Sequence, residues 1–273
     1  MTVLLGNGSI FHNLYRNLIE FRIMKNRSSN EIKYYGLHAC LALWEKRRQD
    51  IIRVYIDPTN VKVFSKLLRW CADQKKAYHI IPSTELNQVS DSVHHEGICI
   101  LAKELPFLSE ENLISGLRNH SKSCLLYLDG VQNPHNLGSI MRTCAHFGVP
   151  FILGEVGQLP ALTPSACRIA KGAAEVVRLS ATNKPFRLIA QLKKMGFSFI
   201  TTSSHSGSSI YRFSFPSRSI IALGSESNGI SNSFQSMTDC HIQIPGSGAI
   251  ESLNVSVAAG LCLGEHYRQH GPS

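Results

Sequence analysis

"IPGSGAIESLNVSVAAGLCLGE", residues 244–265, places Pro245, Gly246 and Gly248 directly before an apolar helix expected from about Leu253. One or two such breakers make a turn. All three, followed by Ser252, Leu253 and Asn254, leave backbone N–H and C=O groups open to a ligand, an arrangement suited to an adenine or ribose ring. The simpler reading is that Ser252 or Asn254 caps the helix. Farther on, Ala258, Ala259 and Gly260 allow a second chain segment to pass very close.

Two upstream loops have the same composition. "DGVQNPHNLGSIMR" (129–142) follows the apolar run "CLLYLD", and "GSESNG" (224–229) follows "SIIALG". In the first, Asn136 is expected as the N-cap of a helix over 137–147, closed by Gly148. Gly138 lets another backbone approach, and Arg142 offers a planar fork suited to phosphate. In the second, Glu226 is the single charge between Gly224 and Gly229. Each loop sits at a strand's carboxyl end, where open parallel sheets bind ligands. If the strands are parallel neighbours, the loops meet. Taken singly, Arg142 reads as a surface helix charge and Glu226 as a solvated loop residue.

The remaining pattern alternates. Leu37, Cys40, Leu41 and Trp44 recur at helical spacing. "IIRVYID", "AYHIIP" and "GICILAKE" read as strands around a helix burying Val61, Phe64, Leu67, Leu68 and Cys71. Ser83 or Thr84 is a cap for a short helix over 85–89. After a crossing segment with a helix over 110–119, strands are expected at "CLLYLD", "VPFILG", "EVVRLS", "FSFITT", "SIIALG" and "CHIQIP". Helices fall between them, one opened by Thr163-Pro164. That is an α/β fold with a mostly parallel sheet behind a smaller α/β unit. Residues 25–33 read as a polar linker, and 1–30 as a loosely ordered leader with a short helix near 14–24.

The chain has 273 residues, 43% of them hydrophobic, enough for one large domain or two modest ones. A formal charge of +9 favours a polyanionic partner. No apolar run approaches membrane-span length, and Val3-Leu4-Leu5 is too short for a signal sequence. A cytoplasmic protein with no membrane contact is expected. The eight cysteines form no Cys-x-x-Cys pair and are expected as buried, reduced thiols. His94-His95 is no metal signature, and no metal is expected. His135, beside Asn136, is within reach of RNA but reads first as an exposed loop residue. "GNGSIF" lacks a preceding strand and "GSGAIE" lacks the third glycine, so neither is a dinucleotide fingerprint. P-loop and Gly-x-Ser-x-Gly patterns are absent from the sequence.

The three loops, in this order, resemble the three motifs of the SpoU family of RNA 2′-O-ribose methyltransferases in the SPOUT superfamily. "NPHNLGSIMR" matches the first, "ALGSESNGIS" the second and "IPGSGAIESLNVSVAAG" the third. Residues 35–103 resemble the L30e-like RNA-binding domain that precedes the catalytic domain in one branch. The resemblance implies an α/β-knot with a C-terminal trefoil knot. It divides the chain into a leader (1–30), an L30e-like domain (31–104), a linker (105–122) and a catalytic domain (123–273). It also implies S-adenosyl-L-methionine as cofactor, held by Gly224, Ile244, Gly248 and Leu253, and a homodimer with sites near the subunit interface. Arg142, Asn136, Glu226, Ser252 and Asn254 take the catalytic positions. A guanidinium is a poor base at neutral pH, so Arg142 is read as a clamp on phosphate and developing alkoxide. Asn136 would position Arg142 or the ribose, and Glu226 would orient Arg142 or Asn254. The implied substrate is ribosomal RNA, with guanosine favoured, or transfer RNA. Gly246, Glu251 and Ser227 depart from the family pattern. The alternative is a catalytically silent RNA-binding protein retaining the knot.

Overall fold

The structure, a computed structural model, describes residues 30–118, 122–225 and 228–271. The helix expected near 14–24 lies outside these residues, as do Glu226 and Ser227.

The first unit contains β1 (Glu31–Tyr35), α1 (Leu37–Arg47), β2 (Ile51–Ile56), α2 (Ser65–Asp73), β3 (Ala77–Ile80), α3 (Ser83–Ser90) and β4 (Ile98–Lys103). Its sheet has the order β1-β4-β2-β3. Strand β1 corrects the sequence reading, which assigned Glu31–Lys33 to a linker. Ile32 and Tyr34 alternate inward, and β4 pairs with the strand antiparallel along its length. The polar residues between them had hidden this period of two. Neither Ser83 nor Thr84 caps α3; Pro82 holds the cap position with no side-chain bond.

The second unit contains α4 (Glu110–Leu117), β5 (Ser123–Asp129), α5 (Pro134–His146), β6 (Phe151–Glu155), α6 (Pro164–Ala170) and β7 (Arg178–Thr182). There follow α7 (Pro185–Lys194), β8 (Ser198–Ser203), β9 (Ser208–Ser209), β10 (Arg218–Gly224), α8 (Asn232–Gln235), β11 (Cys240–Gln243) and α9 (Val255–His270). The seven strands run β7-β6-β5-β10-β8-β11-β9, and every pairing is parallel. Leu125 to Leu128 and Ile220 to Leu223 are all buried, because helices cover both faces. Leu137, Ile140, Met141 and Cys144 of α5 pack on one face with Val255, Ala259 and Cys262 of α9. Leu113, Leu188, Ile189, Leu192 and Phe234 pack on the other. Each fully buried leucine, isoleucine or methionine among them contributes roughly 1.5–3 kcal/mol over its exposed state.

The segment read as a connector is laid against the sheet. Leu108 N donates to Leu179 O at 2.7 Å, and Ser180 Oγ donates to Leu108 O at 2.9 Å. The run expected as the strand "EVVRLS" begins later, since Ala173–Glu175 forms a 3-10 turn before β7. All eight cysteines are free; seven are buried and Cys240 is half-buried. Burial pushes the Cys71 thiol up to about 11 and Cys262 to about 12. Among the described residues, no helix is long and apolar enough to cross a membrane.

Two corrections bear on the site. Asn133 caps α5, with Oδ1 accepting from His135 N at 2.9 Å and Pro134 in the first helical position. Asn136 lies inside the first turn and does not cap it. Strands β5 and β10 are neighbours, but β8 separates β10 from β11. The third loop must therefore travel back along the sheet before α9 packs on α5.

Candidate active site

The first two loops leave the sheet at one level, since Gly224 is the register partner of Asp129. Ser231 N donates to Asp129 Oδ2 at 2.7 Å and ties the second loop to the first. Gly229 has φ +63, and its N–H donates to Ser225 O at 2.9 Å to close the turn. A Cβ at Gly224 would lie 2.0 Å from the Gly229 carbonyl carbon, so the close pass of the turn requires glycine there. Beneath the first loop, burial and then the charge of Asp129 raise the Tyr127 phenol above its ordinary range, which keeps it neutral.

Helices α5 and α9 lie side by side and run in the same direction. Asn254 Nδ2 donates to Asn136 Oδ1 at 3.2 Å near their N-termini, and the rings of Phe147 and Tyr267 lie 5.5 Å apart near their C-terminal ends. Both positive helix ends thus face the loops at the strand carboxyl ends. Asn254 is also the N-cap of α9, with Oδ1 accepting from Ser256 N at 2.9 Å. The capping reading and the functional reading fall on the same residue.

Residues 245–254 are exposed throughout, while Ile244 is half-buried against the core. Gly248 has φ +79, and a Cβ at Gly246 or Gly248 would meet nothing within 4 Å. Ser252 and Leu253 lie on this open stretch beside Asn254. Glu251, a departure from the family pattern, brings its carboxylate 3.4 Å from His205 Nε2 in an exposed pair. Gly138 does admit a neighbour: a Cβ there would sit 2.7 Å from Ala166 O of α6. Gly260 is different. A Cβ there would come no nearer than 4.0 Å to Thr143 Cγ2, so this part of the small-residue run is not tightly packed.

Arg142 is exposed and stands apart from the asparagine pair. Six residues of helix separate it from Asn136, about 9 Å of rise and about 120° of net rotation. It lines a cavity of about 890 Å³ with Ser139, Thr143, His146, Lys171 and Gly260. Asn136 and Asn254 meet, with Ser252 and Leu253 just before Asn254 in the chain. Ile244 and Gly248 lie earlier on the same third loop, Gly224 ends β10 beside the first loop, and Arg142 belongs to the adjoining groove. The sequence reading missed Asp129, the anchor between two loops. Its place in Asp-Gly after a buried strand was the available signal.

Among solved structures, the fold is shared with SpoU-type methyltransferases. A crystal structure described as RNA 2′-O ribose methyltransferase matches with TM-score 0.73 at 20% identity, covering 91% of this chain and 93% of the other. The SpoU methyltransferase AviRb from Streptomyces viridochromogenes, in complex with AdoMet, matches with TM-score 0.71 at 17% identity, covering 88% and 91%. At these identities the likeness concerns the fold.

The chain belongs to the SpoU rRNA methylase family, whose model matches residues 123–264. A second model, RNA 2′-O ribose methyltransferase substrate binding, matches residues 34–108. The chain is 34% identical over 257 residues to an uncharacterized tRNA/rRNA methyltransferase, YfiF, of Escherichia coli O157:H7, covering 93% of this chain and 73% of that protein. It is 32% identical over 240 residues to the 23S rRNA (guanosine-2′-O-)-methyltransferase RlmB of Coxiella burnetii, covering 86% and 94%.

Proposed function

We propose that this protein transfers a methyl group from S-adenosyl-L-methionine to a ribose 2′-hydroxyl of RNA, with a guanosine of large ribosomal RNA the leading substrate and transfer RNA the second. The observation that carries the proposal is the meeting of Asn136 and Asn254 beside the exposed third loop, at the carboxyl ends of a parallel sheet. Membership of the family supports the chemistry, and the name of the Coxiella relative supports the RNA class.

The exposed third loop suits the cofactor: a Cβ at Gly246 or Gly248 would meet nothing within 4 Å, so backbone groups there are accessible. We assign cofactor binding to backbone at Gly224, Ile244, Gly248 and Leu253, the positions that the family motifs give it. When bound, S-adenosyl-L-methionine supplies a sulfonium methyl for in-line displacement by the 2′ oxygen. The protein orients the hydroxyl and supports loss of its proton. Asn136 and Asn254 hold the ribose edge, with Ser252 lining the pocket. Glu226 is assigned, by its place in the second motif, to orient Arg142 or Asn254. Arg142 grips the neighbouring phosphate bidentately and stabilises the developing alkoxide. Its offset from Asn136 argues against direct positioning by that residue within one chain.

We also propose a homodimer. Helix α9 buries Ala259, Cys262 and Leu263 yet exposes Val257 at 49% and Tyr267 at 39%. A helix apolar on more than one side calls for further cover. A second copy over the groove would bring its own loop cluster towards Arg142. The leader, substrate-binding, linker and catalytic division at 30, 104 and 122, the trefoil threading and a cytoplasmic location complete the reading.

The test is methyl transfer from labelled cofactor to ribosomal and transfer RNA fractions of cells lacking the gene, with Arg142→Ala alongside. Label in one fraction, lost in the variant, is expected. No label, with cofactor and RNA still bound, would overturn catalysis and leave a silent RNA-binding protein.

A further inference from the structure

The seam between the two units is centred on one arginine of the first unit. Arg47 of α1 uses all five of its donor hydrogens. Nε donates to Glu175 Oε2 at 2.6 Å, and Nη2 donates to Glu175 Oε1 at 3.2 Å and to Tyr34 Oη at 3.0 Å. Nη1 donates to Asp50 Oδ2 at 2.9 Å and to Lys103 O at 3.1 Å. Glu175 belongs to the second unit, and its side chain is 1% exposed. A charge buried so completely holds its place only with such partners.

Contacts beside the pair are equally close. Cys167 of the second unit packs in the same buried core as Tyr34 of the first. A Cβ at Gly172 would be 2.7 Å from Ala42 Cβ, and one at Gly36 would be 2.9 Å from Arg168 Cγ. Buried residues of both units form one continuous core, from Ile32 and Tyr34 to Cys167 and Ala170. Residues 167–175 therefore carry the first unit on one side. On the other side, Ile169, Lys171 and Ala173 wall the groove that contains Arg142.

We infer that Glu175, latched by Arg47, is a positioning residue: it fixes the substrate-binding unit at a set distance and angle from the Arg142 groove, so that RNA is measured by a rigid frame. The inference rests on the proposed RNA methyl transfer and on the substrate-binding match over residues 34–108. A loosely tethered unit would raise local RNA concentration but would not select the nucleotide presented to Arg142. A docked one excludes RNAs whose contact site and target ribose are wrongly spaced.

The test compares the native protein with Glu175→Ala and with the double variant Arg47→Met, Glu175→Met, which leaves no buried orphan charge. Hydrogen exchange over residues 37–47 and 173–177 reads the seam. Calorimetry reads cofactor affinity, filter binding reads RNA affinity, and kinetics separates KM from kcat. The expected result is faster exchange in both segments, RNA KM raised about tenfold, label spread to secondary sites, and cofactor Kd within twofold of native. If Glu175→Ala fails to fold, the double variant carries the same readouts. An opened seam with RNA KM and site choice unchanged would overturn the inference, as would a seam that stays closed in the double variant. If the native protein transfers no methyl at all, the proposed activity fails instead. RNA affinity is then still expected to fall about tenfold on opening the seam, and an unchanged affinity overturns the positioning role.

Discussion

Asn254 Nδ2 reaches Asn136 Oδ1 at 3.2 Å across 118 residues of chain, while the Oδ1 of the same Asn254 caps helix α9. One side chain therefore starts helix α9 and joins it to the first turn of α5. Asn254→Asp keeps the capping oxygen and loses the donor. Its melting temperature is expected to stay near native while methyl transfer falls at least tenfold. Asn254→Ala loses both and should also cost about 1 kcal/mol of stability. Calorimetry beside a transfer assay separates the two; native-level activity in the aspartate variant would remove Asn254 from the chemistry.

Arg142 is exposed, so its replacement should leave stability within about 0.5 kcal/mol. Arg142→Ala is expected to lower kcat by about a hundredfold or more at unchanged cofactor Kd. Arg142→Lys retains charge without the planar fork and should still lose more than about tenfold. Near-native turnover in the lysine variant would show that charge alone suffices.

Gly138 sits where α5 crosses α6. A methyl there meets Ala166 O at 2.7 Å and Ile169 Cβ at 3.0 Å, and neither is a flexible tip. Gly138→Ala is expected to lower unfolding free energy by about 1–3 kcal/mol. Urea denaturation checks it; an unchanged midpoint would mean that the crossing relaxes freely.

His266, buried within α9, has its pKa lowered to about 4, first by burial and then by His270. The ring is neutral in the fold and titrates near 6.5 when unfolded. The unfolded chain binds the extra proton, so the contribution is complete above pH 6.5 and is lost as pH falls towards 4. Its full size is on the order of 3 kcal/mol. His266→Leu should flatten the fall in urea midpoint between pH 7 and pH 4.5. A parallel fall in both proteins would place the acid sensitivity elsewhere.

The sequence by itself determined the local features. Apolar runs such as "CLLYLD" and "SIIALG", short and rich in aliphatic residues, read as strands covered on both faces, and Thr163-Pro164 marks a helix start, its hydroxyl accepting from Ala166 N at 3.2 Å. The loop glycines and asparagines marked the candidate site because their backbone demands are local. Tertiary structure alone decided what depends on distant partners. Strand β1 exists because β4 pairs with it, against its polar composition. Asn136 is released from capping because Asn133 takes that role, and Asn254 then comes to face it. The placing of β8 between β10 and β11, and the Arg47–Glu175 latch across 128 residues, left no mark on any single segment. Periodicity records which face of an element is buried; the element that buries it is selected only when the whole chain packs.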